Sequence, residues 1–264
     1  MSQISRRLIL SGAAAAGVIS AAQAQENRNP APPPPPPSFA GQTILVAGAT
    51  GRTGKHIVAA LLANGAKVRT FSRNIDQAKK DVPKAEWIKA DVKDVASLKG
   101  IAKGCDRVVF AIGSNSFRDP SNKPDLVDSA GVIALANEAK AAKAKQYVLI
   151  SSIGVTDPAN QTATGFAAVL RYKLDGEKGL AASGVPYTII RPAGLWDRPG
   201  GEFNVALLTN DANIGAMISR EDVAAVVVQS LATDKVLGKT FTCFNVPAYD
   251  VHGWKREFPK IVTI

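Results

Sequence analysis

ILVAGATGRTGKHIVAALLANG, residues 44–65, is the stretch that decides the fold of this 264-residue chain. A β-branched apolar run precedes three glycines spaced three residues apart, Gly48, Gly51 and Gly54, and an apolar run with helical spacing follows them. In such a strand–loop–helix the first glycine permits a tight turn, the second lets the backbone approach a pyrophosphate, and the third lets helix and strand pack closely. The stretch therefore predicts a dinucleotide-binding loop at the head of a βαβ series.

From residue 42 onward, short β-branched runs alternate with longer alanine-rich runs. We expect strands at Thr43–Ala47, Lys67–Ser72, Glu86–Lys89, Arg107–Ile112, Tyr147–Ser151, Tyr187–Arg191 and Lys239–Phe244. We expect helices at Arg52–Asn64, Ile75–Lys80, Val95–Ala102, Leu126–Ala142, Ala167–Ser183 and Arg220–Leu231. This alternation predicts an α/β protein with a doubly wound parallel sheet, the Rossmann fold, in one domain over residues 42–264 with a small C-terminal substrate-binding part.

Long polar connections follow the fourth and fifth predicted strands, at residues 113–125 and 152–166, and a third covers residues 196–218. Ligands of such sheets lie beyond the carboxyl ends of the strands. We therefore expect these three loops to form the wall of a substrate pocket.

The end of the second strand indicates which dinucleotide is bound. A free 2′-hydroxyl favours Asp or Glu there, but the chain has Ser72, Arg73 and Asn74. Arg73, together with Arg52, is suited to flank a 2′-phosphate, so we expect NADP (NADPH); the alternative is that both arginines are solvated surface residues. Asp91 either accepts a hydrogen bond from the adenine amino group or caps the next helix. The residues expected to contact the cofactor on these grounds are Gly48, Thr50, Gly51, Arg52, Thr53, Gly54, Ser72, Arg73, Asp91, Val92, Ala111, Ile112 and Gly113.

Four motifs in order resemble the atypical short-chain dehydrogenases, and more narrowly their NmrA-like and flavin-reductase-like NAD(P)H-binding group. They are GATGRTG at 48–54, VLISSIG at 148–154, Lys173 with Glu177 before ASGVPYTIIRPAGL at 182–195, and ISREDVAAVVV at 218–228. The resemblance implies that Lys173 holds the nicotinamide ribose and that Pro192, at the end of the sixth strand, also contacts the cofactor. It further implies that Ser151 or Ser152 orients the substrate or cofactor. As alternatives, the serines merely end a strand, and Lys173 with Glu177 forms an exposed helical pair.

The chain departs from this family at one position that matters for catalysis. The family's dehydrogenases carry a tyrosine four residues before the lysine, on the same helix face, but here Val169 stands at that position, and Tyr172 is a neighbour of Lys173 on a different face. The usual proton donor to a carbonyl is therefore missing. We expect an NADPH-dependent reductase of a small conjugated acceptor such as a flavin or quinone, with a non-catalytic NADP(H)-sensing or assembly protein as the alternative.

The N-terminus carries features of an export signal. Residues 1–24 contain Arg6 and Arg7, an Ala/Gly-rich stretch and a small-x-small site ending at Ala24, which together predict a twin-arginine signal peptide and a periplasmic location. The alternative is an uncleaved membrane anchor, although the apolar stretch is short for a span. Residues 25–41 predict a Pro-rich linker of polyproline II type.

The overall composition argues against nucleic-acid binding and against a metal site. The net charge is +10, yet lysines and arginines are scattered without interleaved aromatics, so we expect no nucleic-acid partner. Two histidines and two cysteines, Cys105 and Cys243, show no metal-ligand spacing, and we expect buried free thiols. The oligomeric state is left open.

Overall fold

The computed structural model describes residues 32–115, 119–162, 164, 168–211, 215–248 and 250–261. The predicted signal peptide, the first part of the predicted linker (25–31) and the predicted helix start at Ala167 lie outside these residues. The division of the chain into three segments therefore stays a prediction.

Eight strands form the main sheet of the described residues, in the order β3-β2-β1-β4-β5-β6-β10-β8. Seven of them run parallel, and β8 pairs antiparallel with β10 at one edge. The strands are β1 Thr43–Ala47, β2 Lys67–Ser72, β3 Glu86–Lys89, β4 Arg107–Phe110, β5 Gln146–Ile150, β6 Tyr187–Pro192, β8 Asn204–Leu208 and β10 Lys239–Val246. A separate parallel pair joins β7 Gly194–Trp196 to β9 Met217–Ser219.

The helices of the described residues are α1 Gly54–Ala63, α2 Ile75–Asp81, α3 Val132–Ala141, α4 Pro158–Gln161, α5 Ala168–Ser183, α6 Arg220–Leu231 and α7 Gly253–Ile261. A π-helical turn, Asp125–Gly131, precedes α3. The helix predicted at 95–102 is wrong beyond its first turn: only a 3₁₀ turn forms at Val95–Leu98, and the chain then reverses at Gly100, whose φ is +74°.

The core confirms that the sheet is covered on both faces. Successive residues of β1 point to opposite sides: Ile44 and Val46 pack in one apolar cluster, with residues of α1 and α6, whereas Leu45 and Ala47 pack in the other, with residues of α3 and α5. All four side chains are fully buried. The doubly wound parallel fold predicted from the sequence is therefore confirmed.

The end of the Pro-rich segment packs against the domain. Phe39 is 1% exposed, and its backbone N–H donates to the carbonyl of Asn64 at the end of α1, at 2.8 Å. Pro34 and Pro37 are half-buried while the residues between them are exposed. This three-residue spacing matches one edge of a polyproline II helix, so part of the segment is held on the surface of the fold.

Candidate cofactor and active site

A cleft of about 280 Å³ opens at the carboxyl ends of β1, β2 and β4, where the strand order reverses. This is the position at which doubly wound sheets bind ligands. Ten of the residues expected to contact the cofactor line it. The complete lining is Gly48, Thr50, Gly51, Phe71, Ser72, Arg73, Ala90, Asp91, Val92, Lys93, Ala111, Ile112, Gly113 and Asn122.

The glycine loop shows why small residues are required there. Gly48 has φ of +89°, and a Cβ on it would lie 2.8 Å from the carbonyl oxygen of Ala111, the residue just after β4. A Cβ on Gly54 would lie 1.9 Å from the carbonyl oxygen of Gly48. Thr53 at the start of α1 makes no side-chain capping bond. The loop is therefore tightly packed and leaves the helix N-terminus available to an anion, which fits a dinucleotide pyrophosphate.

Two cations border the cleft, Arg73 just after β2 and Lys93 after β3. Arg73 is 60% exposed, with Nε 4.0 Å from Asp91 Oδ2 and Nη1 3.7 Å from Asp119 Oδ2. Lys93 Nζ donates to Ser121 Oγ at 2.9 Å. Sequence reasoning missed Lys93, although its place two residues after Asp91 was a usable signal.

Asp91 does not cap a helix in the structure. Its Oδ1 accepts the backbone N–H of Lys93 at 3.0 Å and so closes a turn after β3, while its Oδ2 faces Arg73. Of the two roles considered for Asp91, the capping role is therefore wrong, and its carboxylate borders the cleft.

Arg52 lies apart from the cleft lining. Its guanidinium pairs with Asp197, which follows β7 and also accepts from Arg220 Nη1 at 2.9 Å. Burial and the nearby charge of Arg52 lower the pKa of Arg220. Thr53, Gly54, Lys173 and Pro192 also lie outside the lining; the structure thus separates Arg52 from Arg73, which the sequence had paired.

A buried polar cluster lies beside Gly113. Lys173 Nζ is 2.8 Å from Asp128 Oδ1, and Asp128 Oδ2 accepts the backbone N–H of Ser114 at 3.1 Å. Ser151 is 8% exposed and borders the same small depression as Asp128 and Lys173, with no hydrogen-bond partner for its Oγ among the described residues. The structure therefore brings Ser151 to Lys173, whereas Ser152 does not border this depression. Sequence reasoning missed Asp128 and Ser114.

Tyr172, the residue before Lys173 in the sequence, contacts its neighbour Arg171. Tyr172 Oη accepts from Arg171 Nη2 at 3.1 Å, and the Arg171 guanidinium lies 4.8 Å from the centre of the Tyr172 ring. This agrees with the expectation that Tyr172 does not replace a tyrosine at the position of Val169.

Glu177 belongs to a second buried network, so its interpretation as an exposed partner of Lys173 is wrong. It is 4% exposed and accepts two bonds from Arg191, at 3.1 and 2.6 Å. Arg191 Nη1 also lies 3.8 Å from Asp211 Oδ2, and Asp211 accepts backbone N–H groups of Gly154 and Thr156. Burial alone raises the pKa of Asp211, but the bonds from Thr156 and Gly154 and the charge of Arg191 outweigh it and hold that pKa below its ordinary value.

Fold and cleft together define a Rossmann-type dinucleotide-binding protein. A sequence model of the family described as NAD(P)H-binding matches residues 48–234, and the chain belongs to this family. Sanguinarine reductase of Eschscholzia californica is 34% identical over 135 residues, half of each chain. A solved structure, a candidate NAD-dependent epimerase/dehydratase from Bacillus halodurans, superposes with a TM-score of 0.71 at 25% identity, covering 82% of this chain and all of that one.

Two further relatives correct the predicted location. Uncharacterized chloroplastic proteins of Arabidopsis thaliana are 34% and 31% identical, covering 73% and 78% of this chain and 72% and 70% of their own lengths. They contradict the predicted periplasmic location. Residues 1–24 contain no acidic residue and are rich in serine and alanine, a composition that export signals share with organelle transit peptides, so composition alone did not discriminate between them.

Within the described residues, we find no helix of sufficient length and apolar character to cross a membrane. The same residues contain no group of three His, Cys, Asp or Glu side chains placed to hold a metal ion. Cys105 and Cys243 are buried free thiols, and burial raises the pKa of Cys105.

Proposed function

We propose that this protein is an NADPH-dependent reductase of a conjugated acceptor such as a flavin or quinone. The observation that carries the proposal is the pairing of a cofactor cleft with a Ser151–Lys173–Asp128 cluster that has no tyrosine at the position of Val169. Such acceptors need no dedicated phenol, because solvent supplies the proton after hydride transfer. The relative named sanguinarine reductase supports assignment to a reductase class.

The preference for NADPH over NADH rests on the charges at the end of β2. Ser72 occupies a position where an acidic side chain would accept from a ribose 2′-hydroxyl, and its Oγ bonds to the backbone of Asn74 instead. Arg73 and Lys93 both border the cleft there. Residues 72–74, at the end of β2, include no acidic side chain, and the two cations at the cleft favour a 2′-phosphate.

Each group of the site then has a defined task. The loop of Gly48, Gly51 and Gly54 and the start of α1 bind the pyrophosphate, and Lys173 binds the nicotinamide ribose. When bound, NADPH supplies a hydride. Ser151, which is buried with an unpartnered Oγ, donates a hydrogen bond to the acceptor or the nicotinamide amide.

The strand pair of β7 and β9, which follows β6 in the chain, offers an apolar surface for the acceptor. Leu195 on β7 and Met217 on β9 are 36% and 38% exposed. A Cβ on Gly194 would lie 2.5 Å from Met217 Sδ, so the methionine side chain lies flat over the strand. Exposed apolar side chains on this separate strand pair suit contact with a planar conjugated ring.

The test is an acceptor screen on the purified full-length chain. We expect NADPH oxidation with at least one flavin, quinone or tetrapyrrole, and we expect Met217→Asp to raise KM for that acceptor while Kd for NADPH stays unchanged. NADPH binding without oxidation by any of these acceptors would overturn the proposal.

The missing tyrosine also favours a second function, a non-catalytic protein whose partner binding depends on NADP(H) occupancy. Pulldown with and without NADPH separates the two. Partners that differ between the occupied and empty protein, together with a silent acceptor screen, support sensing; identical partners in both states exclude it.

A further inference from the structure

We propose that the acceptor carries a phosphate or carboxylate group, and that Arg52 and Arg220 bind this group at the end of the strand pair β7–β9. The proposal rests on the proposed reductase function and states the charge of its acceptor. It concerns a cluster of charged side chains that lies apart from the lining of the cofactor cleft.

The carboxylate of Asp197, the residue after β7, pairs with two arginines at once. Its Oδ2 accepts from the Arg52 guanidinium, and its Oδ1 accepts from Arg220 Nη1 at 2.9 Å. Arg52 belongs to the glycine loop and Arg220 directly follows β9, so this one carboxylate joins the cofactor loop to the strand pair. Because two guanidinium groups share one carboxylate, the three side chains together carry a net positive charge.

The Arg220 guanidinium has N–H groups available for an anion. Its side chain is only 10% exposed, yet within the described residues it makes a single hydrogen bond, to Asp197. A guanidinium has five N–H donors, and its planar shape binds phosphate or carboxylate through two of them at once. Burial and the nearby charge of Arg52 lower the pKa of Arg220, which indicates repulsion between the two cations. A bound anion would relieve that repulsion.

The acidic residues that follow Arg220 have other partners. Glu221 and Asp222 accept the backbone N–H groups of the turn at 200–201, at 2.8 and 2.9 Å. Arg198, one residue after the shared carboxylate, is exposed and makes no ion pair with any described residue. The end of the strand pair is therefore richer in cations than in free carboxylates, which favours an anionic ligand.

The cluster lies at the end of the apolar surface proposed for the acceptor. Asp197 comes two residues after Leu195, and Arg220 comes three residues after Met217, on strands that run parallel. Along extended strands these separations correspond to about 7–10 Å. An acceptor whose ring lies on Leu195 and Met217 therefore reaches the arginines with an anionic side chain of about that length. Asp197 is 55% exposed, so water can solvate its carboxylate when the anion takes its place.

The test compares acceptors that share a ring system and differ in charge. FMN differs from riboflavin by a phosphate, and biliverdin differs from its dimethyl ester by two carboxylates. Equilibrium binding to the full chain saturated with NADP⁺ is measured by titration calorimetry. We expect the anionic member of at least one pair to bind about tenfold or more tightly than its neutral partner, and added salt to weaken this preference.

Two variants should shift this preference in opposite directions. Arg220→Gln should reduce it to less than about threefold, while Kd for the neutral partner and for NADPH stays unchanged. Asp197→Asn should lower Kd for the anionic acceptor about threefold or more, because it removes the competing carboxylate. Lys235→Ala controls for the loss of one positive charge. If Arg220→Gln is unstable, Arg52→Gln, at a side chain that is 66% exposed, replaces it in the comparison of FMN with riboflavin.

Equal affinities within both pairs, or no binding of any of the four compounds, would overturn the proposal. An equal rise in Kd for NADPH and for the anionic acceptor in Arg220→Gln would assign this arginine to the cofactor and would also overturn it. Weaker binding of the anionic acceptor by Asp197→Asn would mean that Asp197 only holds the arginines in place, with the same consequence. Reduction of acceptors without regard to charge refutes this proposal alone, whereas charge-selective binding without NADPH oxidation refutes the reductase and still supports the anion site.

Discussion

Replacing Arg73 by alanine should convert a selective NADPH site into one that binds NADPH and NADH more nearly alike. The guanidinium is 60% exposed and lies 4.0 and 3.7 Å from the carboxylates of Asp91 and Asp119. Exposed pairs at such distances contribute at most about 1 kcal/mol. Arg73 is therefore free to turn toward a phosphate at small cost.

The expected loss follows from what Arg73 would gain there. Charge-assisted hydrogen bonds to phosphate contribute about 1.5–3 kcal/mol each. Solvent exposure and the loss of the contacts with Asp91 and Asp119 reduce the gain from two such bonds, so the net contribution of Arg73 to NADPH binding is about 2 kcal/mol. Removing it corresponds to roughly a 30-fold rise in Kd for NADPH. NADH has no 2′-phosphate, so its Kd should change less than about twofold.

The assay is titration calorimetry with both cofactors at two salt concentrations, because screening should weaken the Arg73 contribution to NADPH binding. Lys93→Ala should show the same selectivity with a smaller effect, since Lys93 is a single donor held by Ser121. Lys235→Ala, an exposed lysine in the turn before β10, controls for loss of net charge. Equal weakening of both cofactors by Arg73→Ala, or no weakening, would refute the 2′-phosphate assignment.

Three further variants test other parts of the molecule. Gly54→Ala should abolish cofactor binding and lower the melting temperature, because its Cβ would lie 1.9 Å from the carbonyl oxygen of Gly48; tight NADPH binding by this variant would contradict the described loop. Phe39→Ala should cost about 3–5 kcal/mol in urea unfolding, since Phe39 is 1% exposed, whereas Ser38→Ala should cost less than about 0.5 kcal/mol; equal values would show that the segment is not packed. Asp211→Asn should be less stable than the wild type at neutral pH, and the difference should close as pH falls below about 4, because a carboxylate with a lowered pKa loses its contribution on protonation. A difference that is independent of pH would contradict this account.

The local sequence pattern was sufficient to predict the parallel strands of the central sheet and the glycine loop. Six of the seven predicted strands begin at the predicted residue and end at the predicted residue or within two residues of it: β1, β2, β3, β4, β6 and β10. Strand β5 is shifted by one residue, and β10 extends two residues further. Ten of the residues that line the cleft were predicted, because parallel strands place their carboxyl ends at one edge and the residues just after each strand meet there. The helix predicted at 95–102 was wrong because its apolar spacing is typical of a helix but the segment contains Gly100. That glycine adopts a positive φ, which a helix does not allow, and only the turn Val95–Leu98 forms.

Strand pairing outside the alternating pattern depended on tertiary structure. Residues 196–218 were expected to form a loop but contain β8 and most of β9, because β8 gains its stability by antiparallel pairing with β10, more than 30 residues away. No local periodicity of the sequence predicts that β8 pairs with so distant a strand.

The sequence by itself determined the doubly wound sheet, the glycine loop and the absence of a tyrosine at Val169, because backbone geometry and residue identity are local properties. The tertiary structure alone decided that Arg52 turns to Asp197, that Lys93 joins Arg73, and that Asp128 reaches Lys173 from 45 positions earlier in the chain. A charged side chain pairs with whichever opposite charge the packed elements place within a few ångströms of it, and that distance is set by the crossing of whole helices and strands.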